Sequence, residues 1–148
     1  MRIVPMLVIV LGMTTGLLAQ EKEVGAKNVP ASVKSTFEKA YPTATVKKWE
    51  QETRDGKPVY EAETLDGTVR RNVVYSPAGE LVEVSESLAV DALPSAVVEA
   101  IKRQYSQSAI RSVDKITRRE KSVFEVTLRG TGPKRVTVTS DGIVLTIK

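Results

Sequence analysis

Two hydrophobic periods alternate along the chain from residue 29 onward. Val33, Phe37, Ala40 and Tyr41 recur at spacings of three and four, as do Val97, Ile101 and Tyr105. That is the period of a helix with one buried stripe. Pro30 and Pro94 suit the first helical turn, where a missing N–H costs nothing, and Pro42 ends the first helix. Behind each helix come four β-type runs, at about 44–52, 57–65, 68–75 and 80–85, and again at about 108–117, 121–129, 134–139 and 143–148. Asp55-Gly56, Asp66-Gly67, Ala78-Gly79 and Asp141-Gly142 fall between runs, where hairpin turns need residues tolerant of positive φ. Short connections of this kind predict antiparallel meanders with one helix across one face of each.

The two halves match each other at an offset of 64 residues. Val29-Pro30 with Val33 aligns with Leu93-Pro94 with Val97, Tyr41 with Tyr105, Thr53-Arg54 with Thr117-Arg118, and Val59-Tyr60-Glu61 with Val123-Phe124-Glu125. Positions 29–76 contain eleven identities in this register, ending with Arg71, Val74 and Ser76 against Arg135, Val138 and Ser140. One residue is then lost, bringing Gly79 against Gly142. The fold class predicted is α+β, with two tandem repeats at 29–86 and 87–148. Each repeat is one helix on a four-stranded antiparallel sheet, and the two sheets are free to join into one curved sheet. Ser85 to Ala92 links the copies as a strand extension or crossover, and 20–28 is a polar, flexible lead-in.

Comparison of the copies assigns the faces. In the second, Phe124, Val126, Leu128, Val136, Val138, Ile143, Leu145 and Ile147 are predicted to face the helix. Their counterparts are Tyr60, Ala62, Thr64, Asn72, Val74, Val82 and Val84. The first copy's other face then carries Trp49, Glu61, Glu63, Arg71, Val73, Tyr75 and Leu81. A sheet face left to solvent should be polar, and two aromatics there have the composition of an interface centre. The candidate partner-binding residues are therefore Trp49, Tyr75, Val73, Arg71 and Glu61. For Trp49, the only Trp, packing at the junction of the copies or under the N-terminal segment stands as the equal alternative.

Composition removes much chemistry. The 148 residues contain no Cys and no His, so disulfides, thiolate nucleophiles, imidazole bases and the usual zinc ligands are absent. Glu61 and Glu125 recur at matching positions, which suggests a carboxylate pair. Cross-strand pairing with Arg71 and Arg135 accounts for them better. Glu50 with Glu52 on a solvated strand is a weak metal site. No catalytic, cofactor or metal residue is assigned. The net charge of +4 comes from 22 basic and 18 acidic residues interleaved along the chain, which is no nucleic-acid footprint.

Residues 1–19 place Arg2 before the apolar stretch Ile3–Leu11, then Gly12, Thr14, Thr15 and Gly16, then Leu17-Leu18-Ala19. This is the layout of a secretory signal peptide, with cleavage after Ala19 or Gln20. The apolar part is short for a span of about 20 residues. A periplasmic or secreted protein is predicted, with no membrane span after cleavage.

The repeated apolar-Pro-x-x-Val, the later Tyr, the Tyr60-Glu61 and Phe124-Glu125 strands and the Gly79 and Gly142 turns resemble the PepSY-like group of exported bacterial proteins, related in fold to the β-lactamase-inhibitor protein. The resemblance covers essentially all of the chain after the leader. It implies helix-on-sheet units and a sheet face that grips a partner protein. The inhibitor's disulfides have no counterpart here, so inhibition does not follow from it. Two function classes are carried forward. One is a non-enzymatic module binding a protein of the envelope or the outside, such as a peptidase, to regulate or inhibit it. The other is a periplasmic carrier or sensor of a small apolar or anionic ligand.

Overall fold

The computed structural model describes residues 21–147; the proposed leader lies outside the described residues. Nine strands form one antiparallel sheet in chain order: β1 (Lys22–Val24), β2 (Thr45–Arg54), β3 (Lys57–Asp66), β4 (Val69–Tyr75), β5 (Leu81–Leu88), β6 (Ser108–Arg118), β7 (Lys121–Gly130), β8 (Arg135–Thr139) and β9 (Val144–Ile147). Helix α1 (Ala31–Ala40) follows a 3-10 turn at Ala26–Asn28, and α2 (Ser95–Gln104) follows another at Val90–Ala92. Both helices start directly after a proline in extended conformation, Pro30 and Pro94. Strand β5 pairs with both β4 and β6, so the meanders share one sheet. Residues 22–24, expected within a flexible lead-in, instead form an edge strand that pairs Val24 with Trp49. No described helix is long and apolar enough to cross a membrane.

Two apolar clusters lie side by side between the helices and the sheet. Val33 and Phe37 of α1 pack on Trp49, Ala62, Val73 and Tyr75. Val97, Ala100 and Ile101 of α2 pack on Val113, Phe124, Val126, Leu128, Val136 and Val138. Burying side chains of this size contributes roughly 1.5–3 kcal/mol each against exposure. The long apolar side chains left exposed include Ile143, Leu145 and Ile147 around β9. These were expected to face α2. Of β9, Val144 packs against that cluster, because a bulge in the β8–β9 ladder sets Val144, in place of Leu145, opposite Val138. Ile147, opposite Val136, keeps the expected side and is exposed there.

The face assignment of the first half is also corrected at three places, in β2, in β4 and at Leu81, which a bulge in the β4–β5 ladder sets opposite Tyr75 on the helix side. Val46 pairs with Thr64 and Lys48 with Glu63, so Lys47 is an extra residue in β2. This β-bulge turns Trp49 to the same side as Val46, under α1, where uninterrupted alternation puts it opposite. The same bulge recurs between Ile110 and Ser112. The second correction concerns β4. Ala62 pairs with Val73, and Val126 with Val136. The one-residue slip between halves therefore precedes β4 and does not follow it. A slip of one residue exchanges the faces of a whole strand. Val73 and Tyr75 thus join the core, while Asn72 and Val74 turn to the other face. The turns agree with this register: Gly79 N–H donates to the Ser76 carbonyl, and Gly142 N–H to that of Thr139.

Gly79 and Gly142 anchor those turns to the helices. Their φ angles are +85° and +86°, and a Cβ would stand 2.8 Å from the Ser32 carbonyl oxygen or 2.6 Å from that of Ala96. Only glycine allows both the conformation and the approach.

Candidate functional site

With both helices on one side, the other face of the sheet is free of helices, and its first half is built on charge. Arg54, near the end of β2, reaches three carboxylates on three strands. Its Nη2 lies 2.6 Å from Glu52 Oε1 and 3.3 Å from Glu61 Oε2, and its Nη1 lies 3.2 Å from Glu83 Oε1. Arg118 of β6 donates to the other Glu83 oxygen. Asn72 Nδ2 donates to Glu61 Oε1 at 2.6 Å. Lys48 bridges Glu50 and Glu63 at 3.0 and 3.3 Å. Glu52 and Glu83 are 7% and 8% exposed. Val59 and Val74, on the same face, are buried as well. Long charged side chains lying flat on a sheet can cover apolar residues in this way.

This packing sets the electrostatics. Burial pushes the Glu61 carboxyl from the usual 4.5 up to about 7, and the negative Glu52 adds to the shift. Arg54 and the Asn72 amide oppose it. The charge of this face therefore changes near neutral pH. A cleft of about 600 Å³ opens beside the network, lined by Arg54, Asp55, Val82, Arg118 and Arg119. Among the described residues no three potential metal ligands cluster closely enough to hold an ion. On this face the carboxylates are shared with Arg54, Arg118 and Lys48.

The five residues singled out from the sequence part company. Trp49, Val73 and Tyr75 are buried under α1, at 7%, 0% and 1% exposure, with Trp49 edge-on to Phe37 at 5.6 Å. Arg71 lies on the helix side, with its guanidinium 4.8 Å from the Tyr41 ring centre and 2.6 Å from Glu86. It does not pair with Glu61, as the cross-strand reading expected. Glu61 alone stands on the helix-free face. In the second half Arg135 does pair with Glu125, at 3.3 Å. Its counterpart across the corrected register is Asn72, the Glu61 partner. Arg54 and Arg118 were visible as a matched pair at the 64-residue offset. Glu83 carried no such signal, because its role comes from two strands that the chain brings to β5 from either side.

The sheet thus carries both helices and both apolar clusters on one side and a half-buried ionic layer on the other. Residues 58–145, more than half of the chain, match the family described as "Putative beta-lactamase-inhibitor-like, PepSY-like", and residues 30–85 match "Peptidase propeptide and YPEB domain". The chain belongs to the beta-lactamase-inhibitor-like, PepSY-like family. Among solved structures it is similar to one from Bacteroides eggerthii described as "putative periplasmic proteins", with a TM-score of 0.69 and 23% identity over 81% of this chain and 88% of that one. A DUF2874 family protein of Bacteroides uniformis gives a TM-score of 0.67 and 23% identity over 80% and 88%. A BLIP-like protein of Bacteroides fragilis gives 0.62 and 21% over 80% and 85%. At these identities the likeness is one of fold. No curated protein matches the chain.

Proposed function

We propose that this is an exported, periplasmic or secreted, non-enzymatic module that binds a partner protein through the helix-free face of its sheet. Two tandem copies of one unit build that face, at 29–86 and 87–148. The N-terminal strand β1 stands against Trp49 as the end of β5 stands against Val113, which supports reading both as the opening of a unit. The observation that carries the function is the one-sided construction. Both helices and both apolar clusters use one face, and the other presents charged side chains already held in place by Arg54, Arg118 and Asn72. Pre-ordered polar groups lose little freedom on binding. Arg54, Arg118, Lys48 and Glu63 form the proposed contact surface, and the less exposed Glu61 and Glu83 hold the arginines from within. Trp49, Val73 and Tyr75 support it from beneath, and Arg71 is structural. The family's inhibitor-like description and the peptidase-propeptide match point to a secreted or envelope peptidase as the kind of partner, regulated or inhibited by the contact.

Site-specific photo-crosslinking in the cell envelope tests this. A photoreactive residue at Glu63 or Asp114, on the helix-free face, should yield a discrete protein adduct, and one at Lys34 or Arg103, on the helices, should not. Adducts from the helix positions alone, or from none of the four, would overturn the reading. N-terminal sequencing of the exported fraction should begin near Gln20.

A further inference from the structure

The helix side carries a feature outside this reading. Between α2 and β6 lies a cleft of about 450 Å³, with apolar walls from Leu93, Val98, Ile101 and Ile110, and with Asp91 and Lys102 also on its lining. The 64-residue offset maps this cleft onto a smaller one of about 310 Å³ between α1 and β2. There Phe37, Tyr41 and Trp49 supply the wall, with the Phe37 ring centre 5.5 Å from that of Tyr41 and 5.6 Å from that of Trp49. In the second half Ile101 replaces Phe37 and Val113 replaces Trp49. The first half narrows its cleft with its own aromatic rings, and the second lacks two of them and is wider. Val90, on the lining, is 42% exposed, an apolar lip left uncovered.

The two charges decide what fits. Neither Asp91 nor Lys102 is held in an ion pair among the described residues. An apolar pocket with a few convergent polar groups is the usual form of a small-molecule site, and 450 Å³ lies in its size range. A neutral apolar ligand would leave both charges unused. A ring-bearing zwitterion would use them all.

We propose that the α2–β6 cleft binds a small aromatic amino acid, with the ring against Leu93, Val98, Ile101 and Ile110, the carboxylate at Lys102 and the ammonium at Asp91. The site lies on the face opposite the proposed protein-binding surface, so either can hold without the other.

Titration of the isotope-labelled exported chain, followed by amide NMR, tests the proposal with four probes. They are L-phenylalanine, 3-phenylpropionate, 2-phenylethylamine and N-acetylphenylalaninamide. Phenylalanine should shift the amides of Val98, Lys102 and Ile110 saturably at millimolar concentration, and leave Lys34 and Val46 of the narrower cleft unmoved. Lys102→Gln should weaken phenylalanine and phenylpropionate by roughly two- to fivefold, the range of a solvent-exposed ion pair, and leave phenylethylamine unchanged. Asp91→Asn should do the reverse. Both substitutions are on exposed side chains, so folding is preserved. Non-saturating shifts with every probe would overturn the proposal. So would N-acetylphenylalaninamide binding as tightly as phenylalanine and insensitive to both substitutions, since the cleft would then take an aromatic side chain of a partner protein.

Discussion

Trp49 shows how a single residue's role turns on its direction. Its ring is edge-on to Phe37 and its neighbours are Ala62 and Val73, so it belongs to the core of the first half. Trp49→Ala should lower the unfolding free energy by about 3–5 kcal/mol, from lost burial and the cavity left behind. Urea unfolding followed by circular dichroism measures it, and a loss below about 1 kcal/mol would place the ring outside the core. Glu61 is the opposite kind of residue, a carboxyl whose ionisation opposes folding. Its folded value of about 7 lies above the 4.5 of an unperturbed carboxyl. The stability it contributes is therefore fully present below about pH 4.5 and is lost as pH rises through 7. With the side chain 14% exposed, the loss is on the order of 1–3 kcal/mol. Glu61→Gln should flatten the fall in melting temperature between pH 5 and pH 8. An unchanged slope would show that Glu61 titrates in the ordinary range.

At the scale of elements, what the local pattern conveyed was where strands and helices run. The expected runs at 57–65 and 121–129 became β3 at Lys57–Asp66 and β7 at Lys121–Gly130. Both helices begin after the prolines that marked them. Turn chemistry and period are local properties, so a short window contains them. The face a strand presents is a matter of parity, and each bulge reverses it. Lys47 and Arg111 are charged, exposed residues that look like any other outward position, and nothing in their type marks them as the extra residue of a bulge. In β4 the run Val73-Val74-Tyr75 is apolar on both faces, and all three side chains are buried. Its composition cannot say which face is the core. The identities of Arg71, Val74 and Ser76 with Arg135, Val138 and Ser140 then favoured a register one residue from the one the strands adopt.

At the scale of the molecule, the two halves are joined through β5. Glu83 sits between Arg54, from the first hairpin, and Arg118, from the hairpin of the second half. It is 8% exposed, so the carboxylate is well shielded while the Arg118 side chain stays largely in water at 66%. Removing one member of a buried charge group leaves the others unpaired, which costs more than the pair gained. Glu83→Gln should destabilise the protein by about 1–3 kcal/mol, read by thermal unfolding. It should also broaden the transition as the halves uncouple. A sharp transition at the original temperature would mean that backbone pairing of β5 with β6 alone unites the sheet.

The sequence by itself determined the class of fold, the order of elements, the helix starts, the glycine turns and the family resemblance, because each rests on a few neighbouring residues. Only the tertiary structure decided that one sheet of nine strands forms, that residues 22–24 complete its edge, and that Trp49, Val73 and Tyr75 lie under α1 while Glu61 meets Arg54 and Glu83 on the far side. Those outcomes depend on counting residues across bulges and turns and on which strands become neighbours. Both are long-range properties, and a one-residue difference in either exchanges core for surface along a whole strand.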